Sequence, residues 1–137
     1  MDFEKKIIVH VSAFLKNKNN RYLFLKRSKE SSFAPSTFDL PGGKMEWGEH
    51  PLDTLQRELM EEIGIAASKI NFVGMQVKNV TLKGIAYHIL KIYYSGLIDG
   101  HIQLSDEHQS FEWFELNDIT KNDSIDADLK KFIKDEL

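Results

Sequence analysis

The stretch GKMEWGEHPLDTLQRELMEEIGI, Gly43 to Ile65, holds six carboxylates and a single arginine, Arg57. Pro51 suits the first position of a helix and Gly64 suits the residue just past its end, so the spacing predicts a helix over 51–63. Leu52, Leu55, Leu59 and Ile63 fall in one apolar stripe at ~100° per residue, which docks the helix on a core. Glu58, Glu61 and Glu62 lie at i, i+3 and i+4 on the adjoining face. Like charges at that spacing repel by ~0.2–0.5 kcal/mol per pair. His50 is a weak residue to cap such a helix, where Ser, Thr, Asp or Asn is preferred. Asp53 in the first turn offsets part of that through the helix dipole.

A solvated acidic face usually carries Lys or Arg at i+4. Here Glu58 meets Glu62 and Glu61 meets Ile65, with Arg57 the one nearby cation. A hard cation such as Mg²⁺ converts this repulsion into binding, because it takes oxygen ligands and bridges carboxylates to substrate phosphates. Glu49 precedes the helix and can fold back to the same place. The PGG at 41–43 lets the backbone approach a ligand with no Cβ in the way.

Working outward, IIVHVSAF (7–14) reads as a strand with Ile7, Val9, Val11 and Ala13 on one side. The turn cluster KNKNN and the strand RYLFLKR follow, which predicts a hairpin. SKESSFAPST (28–37) is a loop, and FDLPGG closes a short strand with a tight turn. After Gly64 come three strand-like runs, over 69–79, 84–98 and 109–116. IDADLKKFIKDEL then reads as an amphipathic helix through Ile125, Leu129, Phe132 and Ile133. Strands, helix, strands, helix gives an α/β chain with a mixed sheet between helices.

The 137 residues suffice for one domain with a real core, taken as 1–137. A net charge of −3 argues against a broad basic surface for extended nucleic acid, but not against a small anionic ligand. Without cysteine there is no disulfide and no thiolate metal site. No run approaches the roughly 18–20 apolar residues of a membrane span. KKIIVHVSAFL is a strand and not a leader, because His10 interrupts it and KNKNN follows. The closing KDEL reads as ordinary helix-end residues. The expected location is cytoplasmic, as a monomer or homodimer. His10 and His88, in strands, are read as structural.

The order Gly43, five residues, Glu49, seven residues, Arg57-Glu58-Leu59, one residue, Glu61-Glu62, one residue, Gly64-Ile65 resembles the Nudix box, G-x5-E-x7-R-E-U-x-E-E-x-G-U, where U is apolar. All nine defined positions over 23 residues agree. FDLPGGK resembles the family's strand into the box, and FEWFELNDI its usual close. The resemblance implies an α/β/α sandwich that uses Mg²⁺ or Mn²⁺ to hydrolyse a nucleoside diphosphate linked to another moiety. By position it implies Glu58, Glu61 and Glu62 as metal ligands, supported by Glu49 and the Gly43 carbonyl. Arg57 would orient the glutamates. Glu58, or Glu107 from a later loop, would activate water, with Glu112 the weaker substitute for Glu107. Lys44 would touch phosphates, and Arg27 and Asp39 would line the nucleotide pocket.

Charge dictates the chemistry of such a site. Expelling a phosphate builds negative charge on the leaving oxygen, which a metal ion neutralises while lowering the pKa of water. A carboxylate in reach takes the proton. Motifs that mark other family subgroups are missing. Ser32 and Ser36 occupy the region of the coenzyme A pattern, Asn79 stands where many ADP-ribose hydrolases carry Pro, and the first tyrosine downstream is Tyr87. The remainder resembles the MutT-like group, which implies a (d)NTP pyrophosphohydrolase releasing NMP and pyrophosphate. Asp126 or Asp128 stands near the place of the base-reading Asn of 8-oxoguanine enzymes, so no base is named. The alternatives are hydrolysis of another nucleoside diphosphate derivative, such as a nucleotide sugar, and a Nudix-fold binding module without catalysis.

Overall fold

The computed structural model describes residues 3–31 and 34–137. Ser32 lies outside the described residues, so its reading has no structural counterpart. In chain order the elements are β1 (Glu4–Lys16), β2 (Tyr22–Arg27), β3 (Phe38–Asp39), β4 (Gly42–Lys44), α1 (Pro51–Ile63), β5 (Ser68–Leu82), β6 (Ile85–Leu97), β7 (His108–Phe114), α2 (Leu116–Thr120) and α3 (Ala127–Glu136). The strands form one mixed sheet in the order β3-β2-β1-β6-β5, with β4 also on β1 and β7 on β2. β1 and β6 run parallel, and the other pairings are antiparallel.

One sheet face packs on α1 through Val11, Ala13, Leu55, Leu59 and Ile63. The other packs on α2 and α3 through Phe14, Tyr93, Ile119, Leu129, Phe132 and Ile133. The expected α/β/α sandwich is thus observed. Phe14 stacks on Phe132 at 6.0 Å, and Tyr93 tilts over Phe132 at 4.5 Å. Gly74 makes room for that ring, since a Cβ there would meet Phe132 Cζ at 3.0 Å. Each buried Leu or Ile of α1 stabilises the docking by ~1.5–3 kcal/mol. That outweighs the ~0.2–0.5 kcal/mol repulsion per acidic pair, so the core holds the helix whatever its acids cost.

Several local expectations change. Leu52 is 38% exposed, and Thr54 is buried in its place. Ile7 is exposed while Val11 and Ala13 are fully buried, because β1 runs beyond the helix that covers its later half. The β1–β2 hairpin pairs at its turn end, Lys16 with Tyr22, after which β2 belongs to β3 and β7. Residues 42–44 form a strand of their own on β1. The run over 109–116 stops pairing at Phe114 and turns into α2. His50 does cap α1: its Nδ1 accepts the Leu52 N–H at 3.1 Å, as a Ser or Asp oxygen would. The last helix starts later than expected, with Asp126 as its cap. Among the described residues, no helix is long and apolar enough to cross a membrane.

Candidate active site

The glycine turn after β3 and the helix α1 meet edge on. At Gly42 the φ is +152°, and a Cβ would strike the Val11 carbonyl. This close approach points the Gly42 N–H at Glu62 Oε1, 2.7 Å away and buried. At Gly43 a Cβ would run into the Glu58 carboxylate. The loop before β7 is tied to the far end of α1, where Ser105 N donates to the Glu62 carbonyl at 3.0 Å. Strand, helix and loop therefore converge on Glu58 and Glu62.

Arg57 is the hub of the helix's first turns. Its Nε and Nη2 grip Glu49 as a fork at 2.8 and 3.0 Å. Its Nη1 donates to Glu58 at 2.9 Å and stands 3.4 Å from Glu61. Its Nη2 also donates to the Lys44 carbonyl at 3.1 Å. Two of the three helix acids are therefore relieved, contrary to the expectation of unanswered repulsion. Glu62 is the exception: the Gly42 N–H and a His108 nitrogen 3.8 Å away are what its carboxylate meets.

The electrostatics divide accordingly. The Arg57 fork, then the Glu46 N–H, hold Glu49 down to about 2. Burial pushes Glu58 up against the pull of Arg57. Burial pushes Glu62 up to about 8; the Gly42 N–H opposes this, while Glu58, Asp39 and Glu107 add to it. Each acid around Glu62 makes its ionisation harder, the condition that an added cation reverses. Among the described residues, no three His, Asp or Glu side chains already converge on one point as ligands.

A cleft of about 750 Å³ opens over this edge. It gathers Gly43, Lys44, Arg57, Glu58, Glu61, Glu62, Glu107, Arg27 and Asp39; Glu49 stands behind Arg57. Arg27 Nη2 and Asp39 Oδ2 are 3.0 Å apart, and the Leu40 N–H holds the other oxygen of Asp39 at 2.8 Å. Glu107 is exposed on the rim, while Glu112 does not line the cleft. Asp126 and Asp128 lie in a neighbouring cavity of about 390 Å³, facing Lys78 at 2.8 and 3.8 Å. Asn79 Oδ1 lies 2.7 Å from His88 Nδ1, and neither residue lines the two cavities.

Among the cleft residues not named as site residues from the sequence are His10, Ser105 and His108. His10 Nδ1, Ser105 Oγ and His108 Nδ1 are buried without a hydrogen-bond partner. His10 lies in β1, as read, and also lines the cleft. The signal in the sequence was its alternation with Ser12 on one side of an otherwise apolar strand. His108 follows Glu107 directly and comes with it.

The family described as NUDIX domain matches residues 6–135. The ADP-ribose pyrophosphatase of Methanocaldococcus jannaschii is 31% identical over 121 residues, 88% of this chain and 68% of that protein. The 8-oxo-dGTP diphosphatase of Haemophilus influenzae is 41% identical over 64 residues, 47% of this chain and 46% of that one. Among solved structures, the MutT protein from Methanosarcina mazei Go1 superposes with a TM-score of 0.83 at 27% identity, covering 98% of this chain and 95% of its own. A MutT NUDIX hydrolase from Burkholderia pseudomallei shares the fold with a TM-score of 0.79 at 23% identity, over 94% and 97%. With the box intact on α1 and the match running through both helical layers, this chain belongs to the NUDIX family and is a hydrolase of phosphoric anhydride bonds.

Proposed function

We propose that the chain is a divalent-metal-dependent pyrophosphohydrolase that converts a (d)NTP to the NMP and pyrophosphate. The supporting observation is the gathering, in one cleft, of the acids of α1, Glu107, and the cations Arg27 and Lys44. The donor set fits Mg²⁺ or Mn²⁺: it is all oxygen, and burial and mutual repulsion raise Glu58 and Glu62. Glu58, Glu61 and Glu62 would hold the ion, with Glu49 and the Gly43 carbonyl in support. When bound, the ion supplies charge neutralisation at the leaving oxygen and a lower pKa for water.

The chain's own residues do the rest. Lys44 and Arg27 bind phosphate oxygens, with Asp39 fixing the angle of Arg27. Arg57 sets the rotamers of Glu49, Glu58 and Glu61 through its planar fork. Glu58 or Glu107 accepts the proton of the attacking water. The water oxygen bonds to phosphorus as the bridging P–O bond breaks. No protein nucleophile is required.

A second reading keeps the same bond but changes the leaving group to that of another nucleoside diphosphate derivative. The Methanocaldococcus relative, an ADP-ribose pyrophosphatase aligned over 88% of this chain, favours it. A panel of nucleotides with and without Mg²⁺, run in ¹⁸O water with mass spectrometry of products, tests both. The expected result is NMP and pyrophosphate carrying one ¹⁸O between them, with metal required. Orthophosphate as the first product from every triphosphate contradicts the proposal.

A further inference from the structure

Strict alternation along β7 would set His108 on one face with Ser110, Glu112 and Phe114. That is the α2 and α3 side of the sheet, where Phe114 packs. The pairing with β2 departs from this pattern at one place. Phe111 is in register with Leu25 and Ser110 with Lys26, but Arg27 then pairs with His108, and Gln109 is left over. Such a bulge adds one residue to a strand and re-aims the side chain beside it. Here it moves His108 onto the face that Arg27 shares with Leu23 and Leu25, the leucines that pack with α1. His108 is thereby turned to the side of the sheet where α1 carries Glu62. Its Nε2 stands 3.8 Å from Glu62 Oε2, and the two side chains are 8% and 9% exposed. Glu62 Oε1 is held by the Gly42 N–H at 2.7 Å, so His108 meets the other oxygen. The loop is fixed to the same helix end, since Ser105 N donates to the Glu62 carbonyl at 3.0 Å and His108 N to the Ser105 carbonyl at 3.4 Å.

We infer that His108 is a positioning residue, whose Nε2–H edge fixes the direction of Glu62 Oε2 and so sets the affinity of the carboxylate site for a divalent cation. This rests on the metal reading above. The contact is longer than a hydrogen bond, so the ring acts as a polar stop on rotation of the carboxylate. Among the described residues, His108 Nδ1 is buried without a partner. A buried N–H without a partner is rarer than a buried acceptor without one, and a carboxylate that holds a metal is ionised. Both put the ring hydrogen on Nε2, toward Glu62. An uncharged donor suits this task. Burial, then Arg27, lowers the His108 pKa, with Glu107 and Asp39 opposing. A lysine or arginine in its place would compete with the ion for the carboxylate. A neutral N–H orients the oxygen and leaves its charge to the metal, as partners of metal ligands commonly do.

The test measures Mg²⁺ affinity by calorimetry, without nucleotide, in wild type, His108→Gln, His108→Asn and His108→Leu. The glutamine amide nitrogen reaches the place of Nε2, the shorter asparagine reaches only that of Nδ1, and leucine fills the space with no donor. His108→Leu and His108→Asn should weaken Mg²⁺ binding about 10-fold, the usual cost of losing a partner that orients a ligand, while His108→Gln stays within about threefold of wild type. Thermal melting checks that each variant folds, and His108→Asn carries the comparison if leucine does not. Turnover of whichever nucleotide the wild type cleaves should follow, with more Mg²⁺ needed for half-maximal rate and the nucleotide KM at saturating Mg²⁺ unchanged. Wild-type Mg²⁺ affinity in His108→Asn or His108→Leu overturns the inference. So does His108→Gln binding as weakly as the other two, which would make packing and not the donor the cause. The readings beneath it fail separately in the unsubstituted chain: the metal reading if Mg²⁺ does not bind, the reaction if no nucleotide is cleaved at an anhydride bond.

Discussion

Glu49 and Glu62 stand at opposite ends of the same helix, and their carboxyls are driven in opposite directions. Glu49 is held at about 2 by a two-pronged guanidinium and two further donors, the Glu46 N–H and the Thr54 hydroxyl. Glu62 is pushed to about 8 by burial, with one backbone N–H in compensation. The side chain is the same, so the difference is entirely environmental. At the Glu49 end the carboxylate is answered by Arg57, the Glu46 N–H and the Thr54 hydroxyl. At the Glu62 end the charges are unanswered, which is the place for charge to arrive with a ligand. The comparison turns an acidic helix into two regions with separate duties.

The largest expected effect comes from striking the reactive side. Glu58→Gln keeps the shape and removes a ligand and proton acceptor; kcat should fall about 10²–10⁴-fold, with KM changing far less, as for an interaction made in the transition state. Steady-state kinetics check this, and a matching rise in KM would assign Glu58 to simple binding. Striking the scaffold should cost less. Arg57→Lys keeps the charge but loses the fork, and turnover should drop about 10–100-fold, the usual cost of disturbing a group that orients ligands. Turnover at the wild-type level would reduce Arg57 to a surface charge.

The smallest effect is on stability, and its sign differs between the two ends. Folded Glu62 keeps its proton until about pH 8, whereas an unfolded glutamate releases it near 4.5. Between those values the folded chain binds more protons, so stability of the metal-free protein falls as pH rises from 4.5 to 8. The full gap bounds the loss at about 5 kcal/mol, and relaxation with water entry makes the realised loss smaller. Glu49 acts the other way: its contribution is present above 4.5 and is lost as pH falls toward 2. Denaturant melts from pH 5 to 8 should show the first slope, flattened in Glu62→Gln; an equal slope in that variant would remove Glu62 as its source.

Much of this was legible in the sequence because it is local. The helix bounds at Pro51 and Ile63, its acidic face and the role of Gly64 as a left-handed terminator depend on neighbours a turn apart, and they emerged as expected. The cleft's other wall was less legible. His10 faces the site because β1 pairs in parallel with β6 and lies against β4, and single-strand alternation does not reveal which neighbour covers a residue. That Arg57 pairs with the glutamates was implied by the resemblance, whereas its reach to Glu49, Glu58 and Glu61 at once depends on a side chain lying along the helix surface. The His50 cap was missed because an imidazole nitrogen was judged by residue type and not by geometry.

The central claim is that the unanswered charge around Glu62 is completed by a divalent cation, and proton counting tests it most directly. Mg²⁺ is titrated calorimetrically at pH 7 in buffers of different ionisation enthalpy, into wild type and Glu62→Gln. A carboxyl that is protonated in the metal-free protein must release its proton when it becomes a ligand. The account predicts saturable binding with release approaching one proton per chain, and weakened binding with little release in Glu62→Gln. Saturable Mg²⁺ binding that releases no proton, or identical affinity and release in the two proteins, would contradict it.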